Sequence, residues 1–587
     1  MELQWFEMRD VRKRKLNTSV WIPLQASQDV LAKGEHGHLG QVEEYFGAGS
    51  LAVPLARKAE AMALGWNRVG SGPDHIPWIH EGRYVQADTH ADNNGLLLGL
   101  RLVLKQHLNH AERNQWHLHQ DLVLALHLQR EGDIWVCPTE GYTEVARLQR
   151  GDNGEPCLLE IKAEYLRDYL CAREMGLYVS SYRSRYEVKA DTNGIVWQAN
   201  PTVEEEADQR WEGQIQEINE GGMQFGAGTA FIHVGRKEVD LEDEVPAYGL
   251  PDDDEVVLDS WQSTAQGRKL FRVWGELWRD EWLEPASASP RVREDDVPAT
   301  SFFITDASGQ RESRDTLDQG SRWLWFRPQV IMDLVHRRGG ALMWYTRETG
   351  RVSCSPGYNV DFGLNKLGLV NVFAKDIGNL PDWQQQLWAG NSIGPDGGIS
   401  PELHTVQMQA IPADTQAPEA FFGKGIELLN KLFEQHYQGV LFREHEISTD
   451  LIGKVHRFRA TTEEGLYELA KDVARLTADS LNIGALHQHT PPPKGEKWGS
   501  LKSLEKLLAQ RVGPEKARAL LTPLVGTYEL RLADAHLPSS KTKDALALVN
   551  IDETLPFVWQ GYQLLAACTG AIYQIAKVLS AEGQIAS

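Results

Sequence analysis

Cysteine is scarce in this chain of 587 residues: Cys137, Cys157, Cys171, Cys354 and Cys568 are scattered, odd in number, and form no Cys-x-x-Cys pair. That usage excludes a zinc ribbon and a disulfide framework and points to a reducing compartment. Long apolar runs are missing too. The longest candidate for a membrane span, around 96–104, is interrupted by Arg101, well short of the roughly twenty apolar residues a spanning helix needs. The opening Met1-Glu2-Leu3-Gln4-Trp5 lacks the basic segment and apolar stretch of a secretory signal. The expectation is a cytoplasmic protein with no membrane partner. No P-loop occurs, and no Gly-x-Gly-x-x-Gly joins a strand to a helix, so nucleotide hydrolysis is unsupported.

What is present is an uneven charge. The net charge is −22, yet residues 421–587 hold 19 basic and 19 acidic side chains and are neutral. The preceding 420 residues therefore carry the whole excess. An acidic body repels a polyanion, which argues against nonspecific nucleic-acid binding over the front two thirds. The neutral C-terminal part faces no such penalty.

The chain is too long for one core, and an α+β multidomain protein of two to four domains is expected. Residues 1–200 read as a mixed α/β domain. Within them, Leu122–Leu128 and Ile134–Cys137 flank Glu131-Gly132-Asp133 like the arms of a β-hairpin. Leu158–Lys162 reads as a strand leading into a helix over Ala163–Ala172. Residues 201–320 form an acidic, β-rich middle, in which Lys269–Trp278 alternates like a strand. A second α/β module is placed at 321–418, because the pattern from Ile161-Lys162 to Arg173 and Leu177 recurs 165 residues later. The second copy runs from Phe326-Arg327 to Arg338 and Leu342. After a proline-punctuated linker, residues 421–587 show 3.6-residue periodicity in five segments, 422–437, 464–481, 501–510, 514–536 and 556–579, with almost no strand signal. That is a helical domain large enough for its own core.

The fourth segment contains Tyr528-Glu529-Leu530-Arg531-Leu532-Ala533-Asp534-Ala535-His536-Leu537-Pro538. Arg531 and His536 are separated by four residues. Here the chain resembles the HEPN superfamily, compact helical domains whose ribonuclease members carry Arg-x(4–6)-His late in the domain. The resemblance covers 421–587. Many members place a polar residue directly after the arginine, where this chain has Leu532. The resemblance implies a metal-independent endoribonuclease with no cofactor, acting on RNA as a homodimer in which each copy supplies an Arg/His set. In proteins built this way the front region senses a trigger, and the nuclease serves as a toxin or in anti-phage defence. It equally leaves open a non-catalytic HEPN-like domain used for dimerisation or binding. The residue chemistry suits cleavage. Histidine titrates near neutral pH and can take the 2′-hydroxyl proton, while arginine's fork can hold the phosphate. Asp534, one turn from Arg531, can orient either group. Positions five apart differ by about 140° around a regular helix, so the pair shares a groove only where the helix ends or kinks, as Pro538 allows.

Three rival constellations stand beside this pair. Asp152 with Glu160-Ile161-Lys162 imitates the acid pair and lysine of restriction-like, metal-dependent nucleases. His107, His110, His117, His119, Asp121 and His127 offer metal-ligand types, but in no recognised spacing. Trp323, Trp325, Trp344, Trp383 and Trp388 supply either core packing or a stacking cleft.

Overall fold

Long alternating strands dominate the first half of the chain. The computed structural model describes residues 2–69, 78–80, 82–91, 97–106, 114–236, 256–264, 267–317, 319, 322–443, 448–531 and 540–580. These divide into two compact units, Met1–Val297 and Pro298–Ser587.

In the first unit the main elements are β1 (Trp21–Lys33), β2 (Val42–Pro54), α1 (Gln120–Ala125), β3 (Gln129–Glu131), β4 (Ile134–Cys137), β5 (Thr143–Arg150) and β6 (Pro156–Lys162). They continue with α2 (Ala163–Ala172), β7 (Met175–Lys189), β8 (Thr202–Glu205), β9 (Gln209–Asn219) and β10 (Lys269–Leu283). The strands form one antiparallel path, β8-β9-β10-β7-β2-β1-β6-β5-β4-β3. At its centre β7 pairs with β2 from Met175↔Pro54 to Glu187↔Val42, and with β10 from Leu177↔Leu283 to Lys189↔Phe271. One face buries Ile22, Leu24, Leu159, Ile161, Leu177 and Val179 beneath the two helices, which contribute Leu122, Tyr165, Leu166 and Tyr169, with Leu126 at the C-terminal cap of α1. The N-terminal segment also lies on the sheet. A Cβ at Gly275 would come within 1.9 Å of the Phe6 carbonyl oxygen, so glycine there permits the close approach.

Two expectations are corrected here. The boundary near 200 falls inside a single sheet, since β10 from the supposed middle region pairs with β7 and β9. The first arm of the expected hairpin is instead the helix α1. Leu122 and Leu126, one helical turn apart, are both buried, and His119 caps the helix by accepting a hydrogen bond from the Asp121 N–H. The hairpin that does form joins β3 to β4.

The second unit opens with β11 (Trp323–Phe326), α3 (Gln329–Val335), β12 (Ala341–Trp344), β13 (Thr349–Ser355), β14 (Tyr358–Leu364) and β15 (Val370–Phe373). After α4 (Asp382–Ala389) comes the short β16 (Ser392–Ile393). The sheet order is β12-β13-β14-β15-β11-β16. Helices follow: α5 (Pro401–Gln409), α6 (Glu419–Tyr437), α7 (Glu463–Leu476), α8 (Ile483–His489), α9 (Ser500–Val512), α10 (Pro514–Leu530), α11 (Ser540–Val549) and α12 (Phe557–Ser580). The C-terminal region is helical, as the 3.6-residue spacing requires. On α6 the buried positions Phe422, Ile426, Leu429 and Phe433 form one stripe. The long α12 buries Leu564, Leu565, Cys568, Ile572, Ile575 and Leu579 at the centre.

The boundary near 420 does not separate two cores. Phe458 and Val558 from the helical region pack into the core of the six-stranded sheet. Arg457, fully buried, forms an ion pair with Glu419 (Nε to Oε1 2.7 Å) and donates to the Arg347 carbonyl at 2.7 Å. Its guanidinium lies 4.0 Å from the centre of the Trp344 ring and 4.5 Å from that of Tyr562. Burial alone raises the Glu419 carboxyl, but the Arg457 charge and hydrogen bonds outweigh it and hold this acid below its ordinary range.

The internal repeat survives locally and fails topologically. Both copies run strand, helix, strand: β6-α2-β7 and β11-α3-β12. Their buried anchors correspond, with Ile161, Leu166 and Leu177 matching Phe326, Ile331 and the partly buried Leu342. In the first copy β1 and β2 separate the two strands, which are therefore antiparallel. In the second copy three strands intervene and the ends are parallel. The shared pattern specifies a local unit that two sheets wire differently.

Candidate active site

Helix α10 delivers Arg531. Gly513, at φ 83°, turns the chain, and Pro514 occupies the first turn, where its missing N–H costs nothing. Ala517, Leu521, Leu524, Thr527 and Leu530 then bury one face. Pro523 lies inside the helix, and the Thr527 hydroxyl donates to its carbonyl at 2.8 Å. Gly526 lets α11 pack tightly, since a Cβ there would meet Val549 at 2.7 Å and the Ala545 carbonyl oxygen at 2.9 Å. The helix closes at Arg531, whose N–H donates to the Thr527 carbonyl at 3.3 Å.

The Arg531 guanidinium is half-buried. It forms an ion pair with Asp479 and sits 3.9 Å from the centre of the Tyr528 ring. Asp479 lies on the bend that follows α7, where its N–H donates to the Ala474 carbonyl at 2.9 Å. On the same bend, Arg443 donates from Nη2 to the Asp479 carbonyl at 3.0 Å, and the Arg443 N–H donates to the Ser480 carbonyl at 2.8 Å. Two guanidinium groups thus converge on one residue, one on its carboxylate and one on its backbone. Such a pair can orient a phosphate while the carboxylate limits the swing of Arg531.

His536 and Asp534 lie outside the described residues. One difference from the sequence reading concerns position. A short helix, α11, intervenes before α12, so Arg531 ends the third helix from the C-terminus among the described elements. Asp479 and Arg443 were not legible as site residues, because 52 and 88 positions separate them from Arg531 and no motif links them.

No protein-family model, curated protein or solved structure matches this chain. Function therefore rests on residues and geometry.

The rival constellations do not assemble. Glu160 is nearly buried and accepts from Arg147 Nε at 2.6 Å. Lys162 lies over the Trp21 ring at 5.8 Å, and Asp152 is exposed on the turn between β5 and β6. The carboxylate and the amine are committed to structural contacts. Of the histidines, His107 and His110 lie outside the described residues. His117 contacts Gln106 at 3.0 Å and Arg130 at 3.2 Å, and His119 contacts Asp88 at 3.1 Å. Asp121 is held by Tyr169 and Arg173. Among the described residues, no three His, Cys, Asp or Glu side chains converge in a way that could hold a metal ion. The tryptophans serve packing. Trp388 is buried 4.8 Å from Phe326 between ring centroids, and Trp344 stacks on Phe458 at 5.5 Å. One further pentapeptide, Gly390-Asn391-Ser392-Ile393-Gly394, has nucleophile-elbow spacing. Ser392, however, sits on the two-residue β16, and its hydroxyl accepts from the Ile304 N–H at 2.9 Å. It is a structural serine.

Proposed function

We propose that the C-terminal helical region is a metal-independent endoribonuclease of HEPN type, and that the first unit regulates it. Arg531 holds the scissile phosphate, and His536 takes the 2′-hydroxyl proton. Asp479 positions Arg531, a role the sequence reading offers to Asp534. The observation that carries this reading is the placement of Arg531. It closes a helix, one face of its guanidinium lies on Tyr528, its carboxylate partner comes from a separate bend, and Arg443 stands beside it.

In this reading two copies pair through their helical regions, each adding an Arg/His set to one groove. The partners are an RNA substrate and an activating trigger. The biological setting is a toxin or an anti-phage effector held inactive until triggered. The test uses purified full-length protein and labelled single-stranded RNA, with chelator present throughout. Cleavage that persists in chelator and is abolished in both Arg531→Ala and His536→Ala supports the proposal. A dimer that leaves RNA intact, and whose expression is harmless in cells with and without phage challenge, identifies a binding scaffold instead.

A further inference from the structure

A cavity lies in the first unit. It encloses about 390 Å³, within the range of small-molecule sites. Its floor is the sheet face carrying Ser181 and Arg183 on β7, with Phe46 and Leu158 beside them; its rim is the N-terminal segment around Asp10, Arg14 and Leu16. Residues 181 and 183 point the same way because strand side chains alternate.

The hydrogen-bonding inventory of this cavity is unbalanced. Arg183 donates from Nη1 to Glu44 at 3.3 Å, while its Nε and Nη2 make no hydrogen bond among the described residues. The Ser181 hydroxyl and the Gln28 amide nitrogen likewise make no hydrogen bond among the described residues, although Gln28 Oε1 accepts from Cys157. Arg14 on the rim is exposed and its side chain has no ion-pair partner among the described residues. The acids lining the cavity are already engaged. Asp10 is paired with Arg185 at 3.0 Å, Glu160 with Arg147 at 2.6 Å and Glu281 with Arg279 at 3.1 Å. Glu281 also accepts from the Leu16 N–H at 3.0 Å. Burial, the largest cause, and the neighbouring Arg185 hold the Arg183 guanidinium below its ordinary range despite Glu44. The guanidinium also lies 4.1 Å from the centre of the Phe46 ring, so Nε and Nη2 are the donors it has left for a ligand.

A pocket rich in free donors and short of free acceptors selects a ligand that brings acceptor oxygens and negative charge. We infer that this cavity binds a small phosphate-bearing molecule, with Arg183, Ser181 and Gln28 on the phosphate and Arg14 closing over it from the rim. Phosphate fits better than a simple carboxylate because it offers enough oxygens for four separate donors and matches the guanidinium fork. A volume of about 390 Å³ admits a sugar phosphate or mononucleotide. Such a site gives the first unit something to sense, and it stands whether or not the nuclease reading does.

The experiment is calorimetric titration of the full-length protein with 5′-AMP, inorganic phosphate and adenosine. Binding of 5′-AMP, with or without binding of inorganic phosphate, and none of adenosine, is the expected result. If inorganic phosphate binds as tightly as 5′-AMP, the site reads the free anion; if it binds more weakly, the site reads the phosphorylated sugar. Ser181→Ala removes a hydroxyl that makes no hydrogen bond among the described residues and is expected to weaken binding about three- to tenfold. Arg183→Gln is expected to weaken it more than tenfold. Absence of binding by both phosphate-bearing probes at millimolar concentration overturns the inference. So does an affinity unchanged in both variants.

Discussion

Replacing Arg457 with methionine tests whether the second unit is one cooperative body. Arg457 is fully buried, it forms a two-point ion pair with Glu419, and it stacks on rings from both the sheet (Trp344) and the last helix (Tyr562). Methionine keeps much of the stem volume but leaves the Glu419 carboxylate buried without its counter-ion. Breaking one side of such a pair costs about 3–5 kcal/mol. For a unit of this size each kcal/mol moves the melting temperature by roughly 2–4 °C, so the expected drop is about 6–20 °C. Glu419→Gln added to Arg457→Met removes the stranded charge and is expected to recover more than half of the loss. The assay is urea denaturation with pulsed hydrogen exchange, read separately on peptides of the sheet (323–373) and of the helices (419–580). Wild-type transitions should coincide and those of Arg457→Met should separate. A loss under about 1 kcal/mol with coincident transitions would refute the idea that this side chain couples sheet to helices.

Other outcomes follow from the same reasoning. Asp479→Ala should lower RNA cleavage about tenfold or more while leaving Arg531 present, because a guanidinium without its orienting carboxylate samples unproductive positions; unchanged cleavage would remove Asp479 from the site. His456 is buried beside Arg457, and burial pushes it down to about 4. Its neutral form is favoured in the fold, so its contribution is complete above about pH 6.5 and is lost as pH falls towards 4, about 2 kcal/mol of it by pH 5. The loss should shrink in His456→Gln, as urea midpoints at pH 7 and pH 5 will tell. Thiol titration of the native protein should find Cys157, which is half-buried, the most reactive. Cys354 and Cys568, pushed by burial up to about 11 and about 12, should react only on unfolding. Gly275→Val should detach the N-terminal segment, seen as faster tryptic cleavage at Lys13 and Lys15, because its Cβ cannot coexist with the Phe6 carbonyl.

Much of the local structure was legible. Apolar positions three and four apart mark α6, α7, α9, α10 and α12, whose helices form wherever one stripe finds a core. Alternation marks β10, and the strand-to-helix step at Lys162 reads directly from the Leu158–Ala172 pattern. The misread segment, Leu122–Leu128, fails for a physical reason. A short run of seven apolar and polar residues fits either period, and what decides it is a capping histidine and a sheet face waiting for Leu122 and Leu126. The short helices 448–454, 483–489 and 540–549 were not anticipated, since seven to ten residues hold too few turns for a period to show.

For the candidate site, the sequence by itself determined which side chains could do chemistry: an arginine and a histidine at close spacing, late in a neutral helical region. It also determined that charge would not oppose an RNA there. Only the tertiary structure decided what surrounds the arginine, because Asp479 and Arg443 reach it across a fold whose loops carry no mark in the residue order. The same holds for the domain divisions. Composition changes at residues 200 and 420, yet strand pairing and the Arg457 node cross both points. Hydrogen bonds and buried charges join residues that are distant along the chain, and periodicity records only neighbours.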